Sequence, residues 1–372
     1  MEPLTLIGGG VLASSLITVP VMAVKNRHLH GEKTSDAVLS ARRAIDPAKY
    51  GLVPAGQLDA RYAGPDPEAD AVREAVLAGD WRTAAGWFAQ TGRDDWDLRW
   101  YRLGVLAYAA AEDDRWLRAW YAECPGDPAA ALVYADMLVV LAGQARGAAR
   151  ARHTSARQFA GFHRLLEEAL PACREAARLA PDDPSPWVVQ ITIAQGLGWS
   201  HQGFHALWAQ ITARDPHHFG AHMSALQYWC AKWRGSREAM FGFVDQAAAS
   251  APWGSLLPAL RLYAVVEQEL ADNSFRIYLK PYTTAAVDAT LRALDQAPPG
   301  HHRIPMVRHL LAQCLFMTRR YAEAVEQFRA VGGYVGGVPW TYSADPVKAF
   351  VHARTHTFHR WEKAGRPNPP RR

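Results

Sequence analysis

Histidine is the residue type in this chain whose spacing most invites chemistry. Near the end of the sequence His352, His356 and His359 stand at i, i+4 and i+7, with Asp345 seven residues before the first. At about 100° per residue these four share one face of a helix, and Val347, Phe350, Val351, Phe358 and Trp361 gather on the other. Three imidazoles and a carboxylate could hold a zinc ion, because His at i and i+4 can share one metal. No H-E-x-x-H run and no cysteine accompanies them, so the expectation is a solvated polar face and no metal ligand is assigned.

The remaining chemical signals are weaker. His217, His218 and His222 follow Asp215-Pro216 at a helix start, where packing accounts for His222, and His301-His302 lies in a Pro-Gly turn. The run Gly332-Gly333-x2-Gly336-Gly337 follows a helix rather than a strand and lacks the Lys-Ser/Thr pair of a phosphate cradle, so it reads as a flexible loop. There is no nucleophile elbow, kinase signature or pair of neighbouring carboxylates in a catalytic spacing. No catalytic residue and no cofactor is assigned, and the chain is read as non-enzymatic. The alternative is a metal-dependent or enzymatic protein using the face of His352, His356 and His359, or His309.

The elements that must position these residues are helices. Apolar residues recur at helical spacing, turn residues separate the runs, and Pro181, Pro216 and Pro252 fall at intervals of about 35 residues, the period of stacked helix pairs. The expected fold class is all-α, an α-solenoid of antiparallel helix pairs. Residues 1–27 form an apolar N-terminal segment, 28–66 a linker, and 67–331 the repeat domain, with insertions at 143–157 and 271–282. Residues 332–365 are a loop and a final helix, and 366–372 a basic tail.

Two sets of residues carry a family resemblance. Trp100-x2-Leu103-Gly104-x2-Ala107 closing at Pro125, the unit from Trp187 to Pro216, and Leu311-Ala312-x2-Leu315 with Tyr321, Ala324, Phe328 and Val331 resemble degenerate tetratricopeptide (TPR-like) repeats. The turn Lys232-Trp233-Arg234-Gly235-Ser236, with Glu238, Met240 and Phe243 after it, resembles that of an uncharacterised bacterial TPR-like family marked by Lys-Trp-x-Gly-Ser. The resemblance implies a TPR-like superhelix and transfers no activity.

In such an array the first helix of each pair lines a concave groove. Register from Trp100, Trp187 and Leu311 places Tyr101, Tyr108, Thr192, Gln195, Gln227, His309 and Gln313 there, with Phe316 one turn beyond Gln313. Carboxamides and phenols suit an extended peptide backbone because they donate and accept at once. A protein or peptide is therefore the expected partner.

Charge is consistent with that expectation. With 41 Lys and Arg against 36 Asp and Glu the formal charge is +5, too small to mark a nucleic-acid binder. Arg146, Arg150, Arg152 and Arg157 fall in a stretch without acidic residues, and they read as a mobile connector that could touch anionic lipid headgroups. Nucleic acid ranks last, because aromatic residues do not interleave with the basic ones. Residues 4–24 carry no charge and match the ~20 residues that a membrane-spanning helix needs, with Lys25, Arg27 and Lys33 after them. The expected location is the bacterial inner membrane with a cytoplasmic body. A cleaved signal peptide and a wholly cytoplasmic protein are the alternatives. Four isolated cysteines fit a reducing compartment.

Overall fold

Helix starts are written into the sequence by short polar side chains. In a computed structural model, which describes residues 45–91, 95–147 and 154–369, Asp66, Asp80, Asp95, Asp127, Ser155, Ser200, Ser236 and Asp345 each cap a helix. Each accepts a hydrogen bond from a first-turn backbone N–H that would otherwise lack a partner, which stabilises a helix by about 1 kcal/mol. Proline occupies the first or second helical position at Pro67, Pro128, Pro186, Pro281, Pro305 and Pro346, where its missing N–H costs nothing.

The described residues are all-α, with fifteen helices, short 3-10 turns and one isolated parallel bridge between Asp59 and Tyr334. They divide into two compact units, one of residues 66–267 and one that joins residues 45–65 to residues from Gln268 onward.

The unit of residues 66–267 contains α1 (Pro67–Leu77), α2 (Trp81–Ala89), α3 (Trp96–Glu112), α4 (Arg115–Glu123) and α5 (Pro128–Arg146). It continues with α6 (Ala156–Leu179), α7 (Ser185–Gly196), α8 (His201–Thr212), α9 (Phe219–Trp229) and α10 (Arg237–Ala249). Odd-numbered helices pack on one another in sequence, α1 on α3, α3 on α5, α5 on α7 and α7 on α9, and each even-numbered helix packs beside its partner. Trp100, Trp116, Trp120, Phe162 and Phe204 fill the layer between them.

The expected insertion at 143–157 lies partly outside the described residues. Its two ends belong to helices, residues 143–146 to α5 and 156–157 to α6, and Arg146 at the end of α5 is only 4% exposed. Its guanidinium lies over the Trp233 ring at 5.8 Å, a favourable stacking for a partly desolvated cation. Arg146 is therefore packed rather than on a mobile connector, while Arg150 and Arg152 lie outside the described residues. Helix α5 is also the one described helix long and apolar enough to cross a membrane, but most of that surface is covered inside the protein by its neighbours α3 and α6.

The second unit holds 3-10 turns at Ala48–Tyr50, Ala55–Gln57 and Phe275–Leu279, with α12 (Pro281–Gln296), α13 (Ile304–Met317), α14 (Tyr321–Val331) and α15 (Pro346–Lys363). The division between units falls inside α11 (Leu260–Asp272). The described part of the expected linker is built into this unit. Leu52 and Tyr62 are buried, Asp59 N–H donates to Gly333 O at 2.8 Å, and Gly336 N–H donates to Tyr62 O at 2.8 Å.

This pairing explains the glycine run, which is a packed segment rather than a flexible loop. A Cβ on Gly336 would lie 2.6 Å from Ala60 O, and one on Gly337 would lie 2.1 Å from the His309 ring. Only glycine lets the two backbones and the imidazole approach so closely. The expected N-terminal segment, 1–27, lies outside the described residues.

Candidate functional site

The side chains that register assigns to a groove are mostly buried. In the unit of residues 66–267, Thr192, Gln195 and Gln227 are buried, and Tyr101 and Tyr108 are half-buried. Tyr101 donates its hydroxyl to Asp66 Oδ2 at 2.8 Å, and so ties α3 to the cap of α1. Burial, reinforced by the Asp136 carboxylate, raises the Tyr108 phenol above its usual range. Gln227 donates to Glu267 Oε1 at 2.7 Å.

The reason lies at the N-terminal ends of the first helices, which meet one another. Asp97 on α3 accepts from Gly220 N–H of α9 at 2.7 Å, Arg99 Nε donates to Asp183 Oδ2 at 2.6 Å, and the rings of Trp100 and His218 meet edge to face at 6.3 Å. A chain of pairs in which α3 reaches α9 leaves little room between them, so polar side chains there satisfy one another.

The Lys-Trp-x-Gly-Ser turn is the most tightly specified part of this unit. Lys232 Nζ donates to Glu267 Oε2 at 2.6 Å, and Glu267, 4% exposed, is thus held by a cation and a carboxamide at once. Trp233 receives Arg146, and Arg234 lies against Gly198, where a Cβ would sit 1.9 Å from its guanidinium nitrogen. The Arg234 carbonyl accepts from His201 Nε2 at 2.7 Å. A Cβ on Gly235 would lie 1.8 Å from Trp229 O, and Ser236 caps α10. Every residue of the motif therefore has a local structural task.

In the second unit, His309 is fully buried. Its Nε2 donates to Ala63 O at 2.9 Å and its Nδ1 accepts from Trp340 Nε1 at 2.9 Å, so the ring is neutral. Burial pushes its pKa down to about 4. Gln313, one turn on, is buried near Tyr278, whose hydroxyl donates to Glu269 Oε2 at 2.7 Å. Neither side chain faces a groove.

The histidine helix is α15. Asp345 is its N-cap, accepting from Lys348 N–H at 2.9 Å, and so is engaged by backbone rather than poised for a metal. Among the described residues no three His, Cys, Asp or Glu side chains are grouped to hold a metal ion. His352, His356 and His359 are half-buried rather than fully solvated. His352 and His356 form one wall of a cleft of about 860 Å³, and the His356 ring packs on Phe316 at 5.4 Å. Arg360 Nε donates to His356 Nε2 at 3.2 Å.

Three further guanidinium-bearing or apolar segments complete the cleft: the Phe275–Leu279 turn, the end of α13 and the start of α14. Arg276, Arg319 and Leu279 belong to no motif in the sequence. Their signal in the sequence is faint, because they lie on separate turns that only the folded chain brings to one cleft. Of the positions that register placed in a groove, Phe316 alone faces this open space.

Comparison with family models, with curated proteins and with solved structures finds no match.

Proposed function

We propose that this chain is a non-enzymatic, TPR-like helical-repeat adaptor that binds a protein or peptide partner. The observation that carries the reading is the packing order of residues 66–267, in which successive first helices stack α1 to α3 to α5 to α7 to α9, as repeats in a solenoid do. Since the inner polar side chains are spent on one another, the partner is expected on outward faces. Trp253, 83% exposed, is the large apolar side chain there that is most available as an anchor.

The non-enzymatic part of the proposal rests on what the candidate nucleophiles and bases are doing. Burial raises the thiols of Cys173, Cys230 and Cys314 above their ordinary range, which removes the reactive thiolate. His222 and His309 are pushed down to about 4 by burial, each with its ring committed to a backbone carbonyl. The membrane location stays part of the proposal, on the apolar segment at residues 4–24 and the basic residues after it.

The test is affinity purification of the tagged full chain from its own cell after in-cell cross-linking. A protein partner recovered in constant ratio, and depleted by Trp253→Ser, is the expected result. A chain recovered alone from both forms contradicts the proposal.

A further inference from the structure

The cleft beside α15 combines two surfaces that are seldom left open together. Its floor is apolar: Phe316 and Met317 at the end of α13, with Phe275 and Leu279 from the 3-10 turn, and Leu279 is 74% exposed. Its rim is cationic, with Arg276, Arg319 and Arg360 on three different segments and His352 and His356 beside them, and among the described residues no carboxylate lines it.

Arg276 and Arg319 make no side-chain hydrogen bond or ion pair among the described residues. Other arginines of the same unit are engaged: Arg320 holds Glu323 and Asp288, Arg366 holds Glu362, and Arg354 donates to Val53 O. Arg276 and Arg319, which border the cleft, have no such partner among the described residues, and neither does Arg292, exposed on α12.

Arg319 adds an independent observation. Its φ is +62°, the left-handed conformation that closes α13 and that glycine or asparagine adopts at least cost. A β-carbon there costs on the order of 1 kcal/mol. The position carries a long cation in place of the glycine its backbone favours, and that residue lines the cleft together with Phe316 and Tyr321.

We infer that this cleft binds an amphiphilic anion, a molecule with a carboxylate or phosphate head on an alkyl or aryl body. The body covers Phe275, Leu279, Phe316 and Met317, and the head is taken by Arg276 and Arg319. A volume of about 860 Å³ is in the range of small-molecule sites, which join an apolar lining to a few placed polar groups. Guanidinium is suited to both heads, because its planar fork donates to two oxygens at once. The site does not depend on the adaptor reading: it lies within the second unit and needs no protein partner.

The experiment is a fluorescence titration of the full chain with 1-anilinonaphthalene-8-sulfonate, followed by displacement. The expected result is saturable binding displaced by dodecanoate and dodecyl phosphate and not by dodecanol. In Arg276→Ala/Arg319→Ala the affinity for dodecyl phosphate falls at least tenfold, and Leu279→Asp, at an exposed position, weakens it as well. Helical circular dichroism is unchanged in both variants. Vesicles then separate the sources of such a head. Displacement by phosphatidylglycerol but not phosphatidylcholine vesicles identifies a lipid headgroup, and displacement by the soluble amphiphiles alone identifies a free ligand. Failure of both soluble anions to displace the probe, or affinity within twofold of the native chain in the double variant, overturns the inference.

Discussion

His309 shows how a residue type that suggests chemistry can be occupied by structure. Its two ring nitrogens join Ala63 and Trp340, two segments far apart in sequence, and Gly337 exists as glycine to let the ring in. Replacement by glutamine cannot span both partners, and a buried donor or acceptor left unmade costs about 1–3 kcal/mol. His309→Gln is expected to lower unfolding stability by about 3 kcal/mol, measured by urea denaturation at pH 7.

The same residue predicts a pH dependence with a definite sign. The unfolded imidazole titrates near 6.5 and the folded one near 4. Between those values the unfolded chain binds more protons. The contribution of His309 is therefore complete above pH 6.5 and is lost as pH falls towards 4, at about 1.4 kcal/mol per pH unit. His309→Gln should flatten the stability profile in that window, and an unchanged slope would contradict the neutral, buried assignment. In the sequence His309 was legible only as a position on a helix, since what surrounds it comes from residues 63, 337 and 340.

At the scale of elements, the sequence was most readable where the backbone itself needs a particular residue. Aspartate-proline and serine starts mark the helices because unpaired N–H groups must be satisfied locally. Gly235 is a second case. With 1.8 Å between its would-be Cβ and Trp229 O, Gly235→Ala must move the α9–α10 turn, and with it Lys232 from Glu267. A loss of more than 2 kcal/mol is expected, in the class of large effects tied to backbone clash and a broken buried pair. A melting temperature within a degree of the native chain would contradict it. Arg146 was less readable, because a side chain at the end of a helix can turn to solvent or inward, and only packing against Trp233 decides where it goes.

At the scale of the molecule, helical class follows from composition and period, whereas the division between Glu267 and Gln268 does not. That boundary depends on residues 45–65 packing with the C-terminal helices through pairs such as Asp59 with Gly333 and Val335, contacts that no local pattern announces. The cleft beside α15 was hidden for the same reason. The proposed membrane location is checked by fractionating cells that express the full chain or the chain lacking residues 1–27. The full chain is expected with membranes and the shortened one in the soluble fraction; two soluble forms contradict the anchor.

The helix pairs are proposed to form a scaffold for another protein. In-cell cross-linking followed by purification and peptide mapping tests it most directly. The predicted result is one partner at a fixed ratio, cross-linked to outward positions of residues 66–267 near Trp253. Recovery of the chain without a partner, or cross-links that avoid those residues, would contradict it.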